Sequence, residues 1–131
     1  MKRSKLSKMH YFIIILVCAS IPILFLLFRK PKVVDKSFAS YTGKIEDYSG
    51  NKKLVVAFTA SWASFWKLTE LELRKIDRET FDLRIVDDAT ERPIIRSYGI
   101  SLLPTVALIE DGKITKKIQN LSSIDQLNDW K

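Results

Sequence analysis

Residues 11–28 read YFIIILVCASIPILFLLF, a run in which only Ser20 and Pro22 are not apolar. At a helical rise of about 1.5 Å per residue this stretch spans roughly 27 Å, close to the hydrocarbon thickness of a bilayer. It is expected to be a membrane anchor. A cleaved signal peptide would also begin with a basic stretch such as MKRSKLSK, but the apolar run continues through IPILFLLF beyond Ala19 and Ser20, the one plausible cut. A lipoprotein would acylate Cys18, yet Val17 stands where a small residue is needed. Cys18 is then a small apolar side chain of the span or a palmitoyl acceptor. The chain divides into a basic tail (1–10), a transmembrane anchor (11–28), a Pro-containing linker (29–36) and a remainder (37–131) sufficient for one domain. Four Lys or Arg flank the span on each side. The short basic tail assigns the N-terminus to the cytoplasm and the folded part to the outer side of the cell (inner) membrane.

The net charge of +7 would suggest nucleic acid if it lay on the folded part. It does not: residues 1–36 hold eight basic residues and one acid, whereas 37–131 carry 14 of each. A neutral domain has no counterion-release term with which to hold DNA or RNA. The single cysteine, Cys18, and the single histidine, His10, both precede the domain. An intrachain disulfide, a dithiol pair and a zinc site of the usual ligands are thereby excluded, and no metal or cofactor is expected. Asp87, Asp88 and Glu91 are carboxylates without an organised loop and read as a solvated strand end. Asn120-Leu121-Ser122 fits the glycosylation pattern, a triplet that chance supplies often.

The domain alternates strand and helix patterns. KLVVAFT (53–59) is a continuous β-branched and aromatic run, as in a strand buried on both faces. Residues 64–76 predict a helix with Phe65, Leu68, Leu71 and Ile76 on its inward stripe. A strand follows at 83–87, a short helix at 91–98, and strands at 105–110 and 113–118 joined by Asp111-Gly112, a strong hairpin signal. Ser122 or Ser123 can cap a last helix with Ile124, Leu127 and Trp130 facing the sheet. The pattern predicts an α/β sandwich.

VVAFTASWASFWK and YGISLLPTVALIEDGKI together resemble the thioredoxin-fold family, in which a strand runs into Trp-Cys-Gly-Pro-Cys-Lys and a later Gly-Ile-x-x-x-Pro-Thr supplies a facing cis-proline. Trp62, Lys67, Pro104-Thr105 and Asp111-Gly112 match that pattern over residues 37–131. The resemblance implies a thioredoxin-like three-layer sandwich with a mixed central sheet, a cis Leu103-Pro104 bond, and a groove between the helix start and the proline loop. Relatives pair an extended peptide there with the residue preceding proline, here Leu103.

The family's two cysteines fall on Ala63 and Trp66, and its buried aspartate on Ala57. An alanine has no atom with which to attack a disulfide, so thioredoxin-type activity, and enzymatic activity in general, is not expected. Two readings follow. One is a redox-inactive, membrane-tethered binding or assembly module that grips a partner protein through Trp62, Phe65, Trp66, Leu103, Pro104 and Thr105. The other is an oxidoreductase-family protein acting with cysteines supplied by a partner, or through Cys18. Trp66 has two possible places: space vacated in the core, or across the groove mouth as a contact surface.

Overall fold

The computed structural model describes residues 13–15 and 33–131 and divides the chain into two units, Met1–Lys32 and Val33–Lys131. In the first unit Ile13, Ile14 and Ile15 are helical and exposed. The basic tail, Cys18 and most of the expected anchor lie outside the described residues. Among the described residues no helix is long and apolar enough to cross a membrane.

The second unit is an α/β sandwich of three layers. Its elements are β1 (Lys53–Thr59), α1 (Trp66–Leu73), β2 (Phe81–Asp87), α2 (Asp88–Ser97), β3 (Thr105–Glu110), β4 (Lys113–Gln119) and a C-terminal 3-10 helix (Ile124–Trp130). The sheet has the order β2-β1-β3-β4, with β1 parallel to β2 and antiparallel to β3, and β3 antiparallel to β4. β1 is central, which is why every residue from Leu54 to Thr59 is buried and why its sequence is continuous rather than alternating.

Alternate residues of β1 serve opposite faces. Val55 and Ala57 join Leu83, Ile85, Val106 and Leu108 under α1 and the 3-10 helix, which contribute Trp66, Leu73, Leu127 and Trp130. Leu54, Val56 and Phe58 join Val86, Ala107 and Ile109 under α2, which contributes Ile95. The hairpin turn carries positive φ at both Asp111 (51°) and Gly112 (74°), the mirror-image turn whose twist matches paired strands. The 3-10 helix replaces the expected α-helix, and its start is a capping box between Ser123 and Gln126.

Two differences from the sequence expectation concern α1 and the domain boundary. The helix begins at Trp66 rather than 64, and its inward residues are Trp66, Thr69 and Leu73, while Leu68 and Leu71 are exposed. The inward stripe is set by Thr69, whose hydroxyl donates to Leu121 O at 2.8 Å and so can be buried without loss. A stripe drawn through leucines alone selects the wrong face. The compact unit also starts at Val33, four residues before 37. Val34 is buried, and its N–H donates to the Asp87 carboxylate at 3.0 Å.

Residues 33–52 contain neither strand nor helix, yet they close the outer edge of β2. Ser40 N and Tyr41 N donate to Leu83 O, and Leu83 N donates to Ser40 Oγ. Further along, the Arg84 guanidinium donates to Ile85 O and Gly43 O. An irregular segment and one arginine thus satisfy backbone groups that would otherwise be open to strand addition.

Candidate functional site

Strand register assembles the site. Thr59 pairs with Asp87, and Phe58 with Thr105. One end of the sheet therefore holds the last residue of β1, the last of β2 and the first of β3. The loop that follows Thr59 carries Trp62 and Ala63, and the loop that precedes Thr105 carries Leu102, Leu103 and Pro104. The Leu103-Pro104 bond is cis, as expected. Pro104 is buried and its carbonyl accepts from Asn120 N at 3.1 Å, while Thr105 Oγ1 donates to Leu102 O at 2.7 Å, fixing the loop against β3.

The descent from β1 into α1 is a tight turn in which Ala63 N donates to Ala60 O and Trp66 N donates to Ala63 O. Phe65 is the N-cap and offers no side-chain cap. Ala63 is buried, Phe65 is half-buried, and Trp66 is 5% exposed within the core cluster under α1. Of the two places considered for Trp66, the indole takes the interior one. Its expected role as a contact surface is corrected accordingly: a bulky apolar ring at the first turn of a helix that faces a sheet gains more from burial than from lying over the mouth. Ala57 is fully buried between Ile85 and Val106 in the same cluster.

The exposed member is Trp62, at 68%. Leu103 is half-buried and packs against both core clusters, at the seam between the sheet's two faces. The structure thus brings Trp62, Phe65, Leu103, Pro104 and Thr105 to one end of the sheet, and of these Trp62, Phe65 and Leu103 retain exposed surface.

The three carboxylates expected as a solvated strand end are instead engaged. Asp87 is buried and accepts from Val34 N and Ala89 N, capping α2. Asp88 pairs with Arg92 at 3.1 Å. Glu91 pairs with Arg84 at 2.6 Å and also with Lys36. Burial pushes the Glu91 carboxyl up, but the hydrogen bonds from Arg84 and Lys36 outweigh it and hold the group below its ordinary value. Glu91 sits at a kink in α2 two residues before Pro93, which has no N–H to continue the ladder. The links from Val34 to Asp87 and from Lys36 to Glu91 span 53 and 55 residues, and nothing in the local sequence signals them.

Thr59 Oγ1 is fully buried and has no hydrogen-bond partner among the described residues. An unpaired buried hydroxyl costs about 1–3 kcal/mol. Thr59→Val, nearly isosteric, should therefore raise stability by about 1 kcal/mol, read as a higher urea midpoint at unchanged slope. A lower midpoint would mean that the hydroxyl has a partner.

The family profile described as Thioredoxin matches residues 31–130. The chain belongs to the thioredoxin family. A relative named Thioredoxin from Mycoplasma genitalium is 36% identical over 76 residues, covering 55% of this chain and 72% of the relative. Among solved structures, a mutant thioredoxin from Halobacterium salinarum superposes with a TM-score of 0.55 at 22% identity, covering 61% of this chain and 72% of that one. Thioredoxin-2, described as a component of malaria parasite protein secretion machinery, gives 0.55 at 20% identity over 63% of this chain and 86% of its own. At such identities the superpositions establish the thioredoxin-like fold alone. Membership corrects the expectation that this is not an enzyme, which rested on the missing thiols: the family is of oxidoreductase type, and the sequence relative carries the name of its redox member. On the sequence resemblance the family's two sulfur positions fall on Ala63 and Trp66; the chain's one cysteine, Cys18, lies outside the described residues.

Proposed function

We propose that this thioredoxin-family chain is a membrane-tethered module that holds an extended segment of a partner protein between Trp62 and Phe65 on one side and the Leu103-Pro104-Thr105 loop on the other. Tethering comes from residues 11–28, with the folded unit on the extracytoplasmic side. The observation that carries the reading is Trp62: a tryptophan left 68% exposed at the same end of the sheet as a half-buried Leu103, while the neighbouring Trp66 is drawn inside. Exposed aromatic anchors of this kind are enriched at binding hot spots. A second reading follows from family membership. If the held segment carries a reduced cysteine pair, its thiolate, held at the uncapped start of α1, can attack the disulfide of a third protein; the partner's pair ends as the disulfide and the third protein's as two thiols.

The test is position-specific. A photo-crosslinker placed at the exposed Ser64, between Trp62 and Phe65, in the full chain, in its native cells, should capture a discrete partner. The same group at Asp111, at the opposite end of the sheet, should not. Trp62→Ala should leave folding within about 0.5 kcal/mol of the parent because the ring is exposed. It should weaken capture by about 2 kcal/mol, roughly thirtyfold. Equal capture from both positions, none from 64, or capture unchanged in Trp62→Ala would defeat the proposal.

A further inference from the structure

The two edges of the sheet are finished differently. Outside β2, Ser40, Tyr41 and the Arg84 guanidinium occupy backbone groups of the strand. Outside β4, the other edge, nothing among the described residues bonds to the backbone. Register fixes which groups are open there. Asn120 N donates to Pro104 O, and the same antiparallel register continues through Val106 with Ile118 and Leu108 with Lys116. These are the hydrogen-bonded pairs, so the alternate residues Lys117 and Gln119 turn their N–H and C=O groups away from β3. The far side of β3 agrees. Lys53 N donates towards β2, to Thr80 O, so Val56 and Phe58 bond to Ala107 and Thr105 and leave Val106 and Leu108 to β4. Before Lys116 the register shifts at Leu108/Ile109, a bulge that interrupts the ladder. The regular open stretch is therefore Lys116–Gln119.

The side chains along it select an occupant. Lys116 and Ile118 lie on the α1 side of the sheet, opposite Leu108 and Val106, and Lys117 lies on the α2 side, opposite Ala107. Both lysines are exposed, and among the described residues neither is in an ion pair. Lys116 donates to Asp129 O at 3.3 Å, and the remaining lysine of the strand, Lys113, stands opposite Glu110. Edge lysines oppose pairing with a like edge: a second copy would bring Lys116 and Lys117 of both strands to one junction. They favour a strand that carries a carboxylate on each face at their level, with an apolar residue beside Ile118.

We infer that the Lys116–Gln119 edge of β4 receives an extended acidic segment of a partner protein as a fifth strand. Its backbone bonds to Lys117 and Gln119, and its carboxylates meet Lys116 and Lys117. This is strand addition, in which the main chain supplies affinity and alternate side chains supply specificity. Neither the groove at Trp62 nor the anchor enters into it.

The probe is the acetylated and amidated peptide Thr-Val-Glu-Glu-Val-Thr, titrated at low salt into the full chain in uncharged detergent micelles, with amide exchange read residue by residue by NMR. At saturating peptide the amides of Lys117 and Gln119 should exchange about tenfold more slowly, while that of Ile118, already bonded to β3, stays as it was. The same peptide with lysine in place of glutamate should not bind. Gln119→Pro removes one outward donor without touching a charge, on the side of an edge strand where proline is tolerated, and should weaken binding about tenfold. Lys116→Gln combined with Lys117→Gln should weaken it as much and remove its salt dependence. Binding that leaves exchange at Lys117 and Gln119 unaltered is attraction by charge alone and overturns strand addition. Absence of binding makes the lysines guards of the edge, and overturns it as well. Protection of the same two amides that grows with protein concentration in the absence of peptide makes a second copy the occupant and overturns the acidic partner.

Discussion

Trp66→Ala should lower the stability of the folded unit by about 3–5 kcal/mol, the cost of emptying a large aromatic site in a packed core. For a domain of this size that is a fall in melting temperature of roughly 15 °C or more. The expectation rests on the indole's membership of the core cluster that also holds Val34, Phe38, Ala63 and Leu73, at 5% exposure. Near-ultraviolet circular dichroism of the full chain in detergent, followed through a thermal melt, measures it. Trp66→Phe should cost less, about 1–2 kcal/mol, because much of the volume stays filled. Crosslinking from position 64 should survive Trp66→Phe. A loss below about 1 kcal/mol in Trp66→Ala, with capture abolished, would put the indole at the contact surface and overturn the packing account.

Glu91→Gln should cost about 3 kcal/mol, chiefly because it leaves the buried Arg84 guanidinium without its counter-charge. Lys36 loses the same partner, which loosens residues 33–43 from α2. The pH dependence follows from the direction of the shift. A carboxyl whose folded value lies below its ordinary 4.5 contributes fully above that value, and the contribution drains away as the pH falls through the lower, folded one. The parent should therefore lose stability on acidification below about pH 4.5, and Glu91→Gln should show a shallower acid slope from a lower neutral plateau. Urea midpoints across that range give both. Arg84→Met combined with Glu91→Leu should recover part of the loss, since an apolar pair of similar volume removes the stranded charge. If Glu91→Gln is as stable as the parent at neutral pH, the ion pair does not hold the segment.

What could be read from the sequence was whatever a few neighbouring residues decide. The central strand 53–59 showed itself because a strand covered on both faces must be apolar throughout, and the hairpin because Asp111-Gly112 permits two positive φ angles in succession. The proline loop was legible through its resemblance to a known motif. The phase of α1 was hidden by Thr69, a polar residue that becomes an inward one only when Leu121, 52 positions away, offers its carbonyl. The roles of Asp87 and Glu91 were hidden in part for the same reason: each also takes a partner in residues 33–36, a stretch that reads as linker. The candidate surface was only half visible, since two tryptophans four positions apart look alike in sequence and face opposite ways in the fold.

The buried indole also bears on which substitutions this core admits. Placing sulfur at position 66 takes one residue, but a cysteine there leaves most of the tryptophan's volume empty, a penalty of several kcal/mol in a domain whose whole margin is about 5–15 kcal/mol. A second cysteine at position 63 adds little more volume than the alanine it replaces, so it does not refill the space. The packing acts as a ratchet: with Trp66 in place, a thiol pair at this helix start passes through a less stable fold.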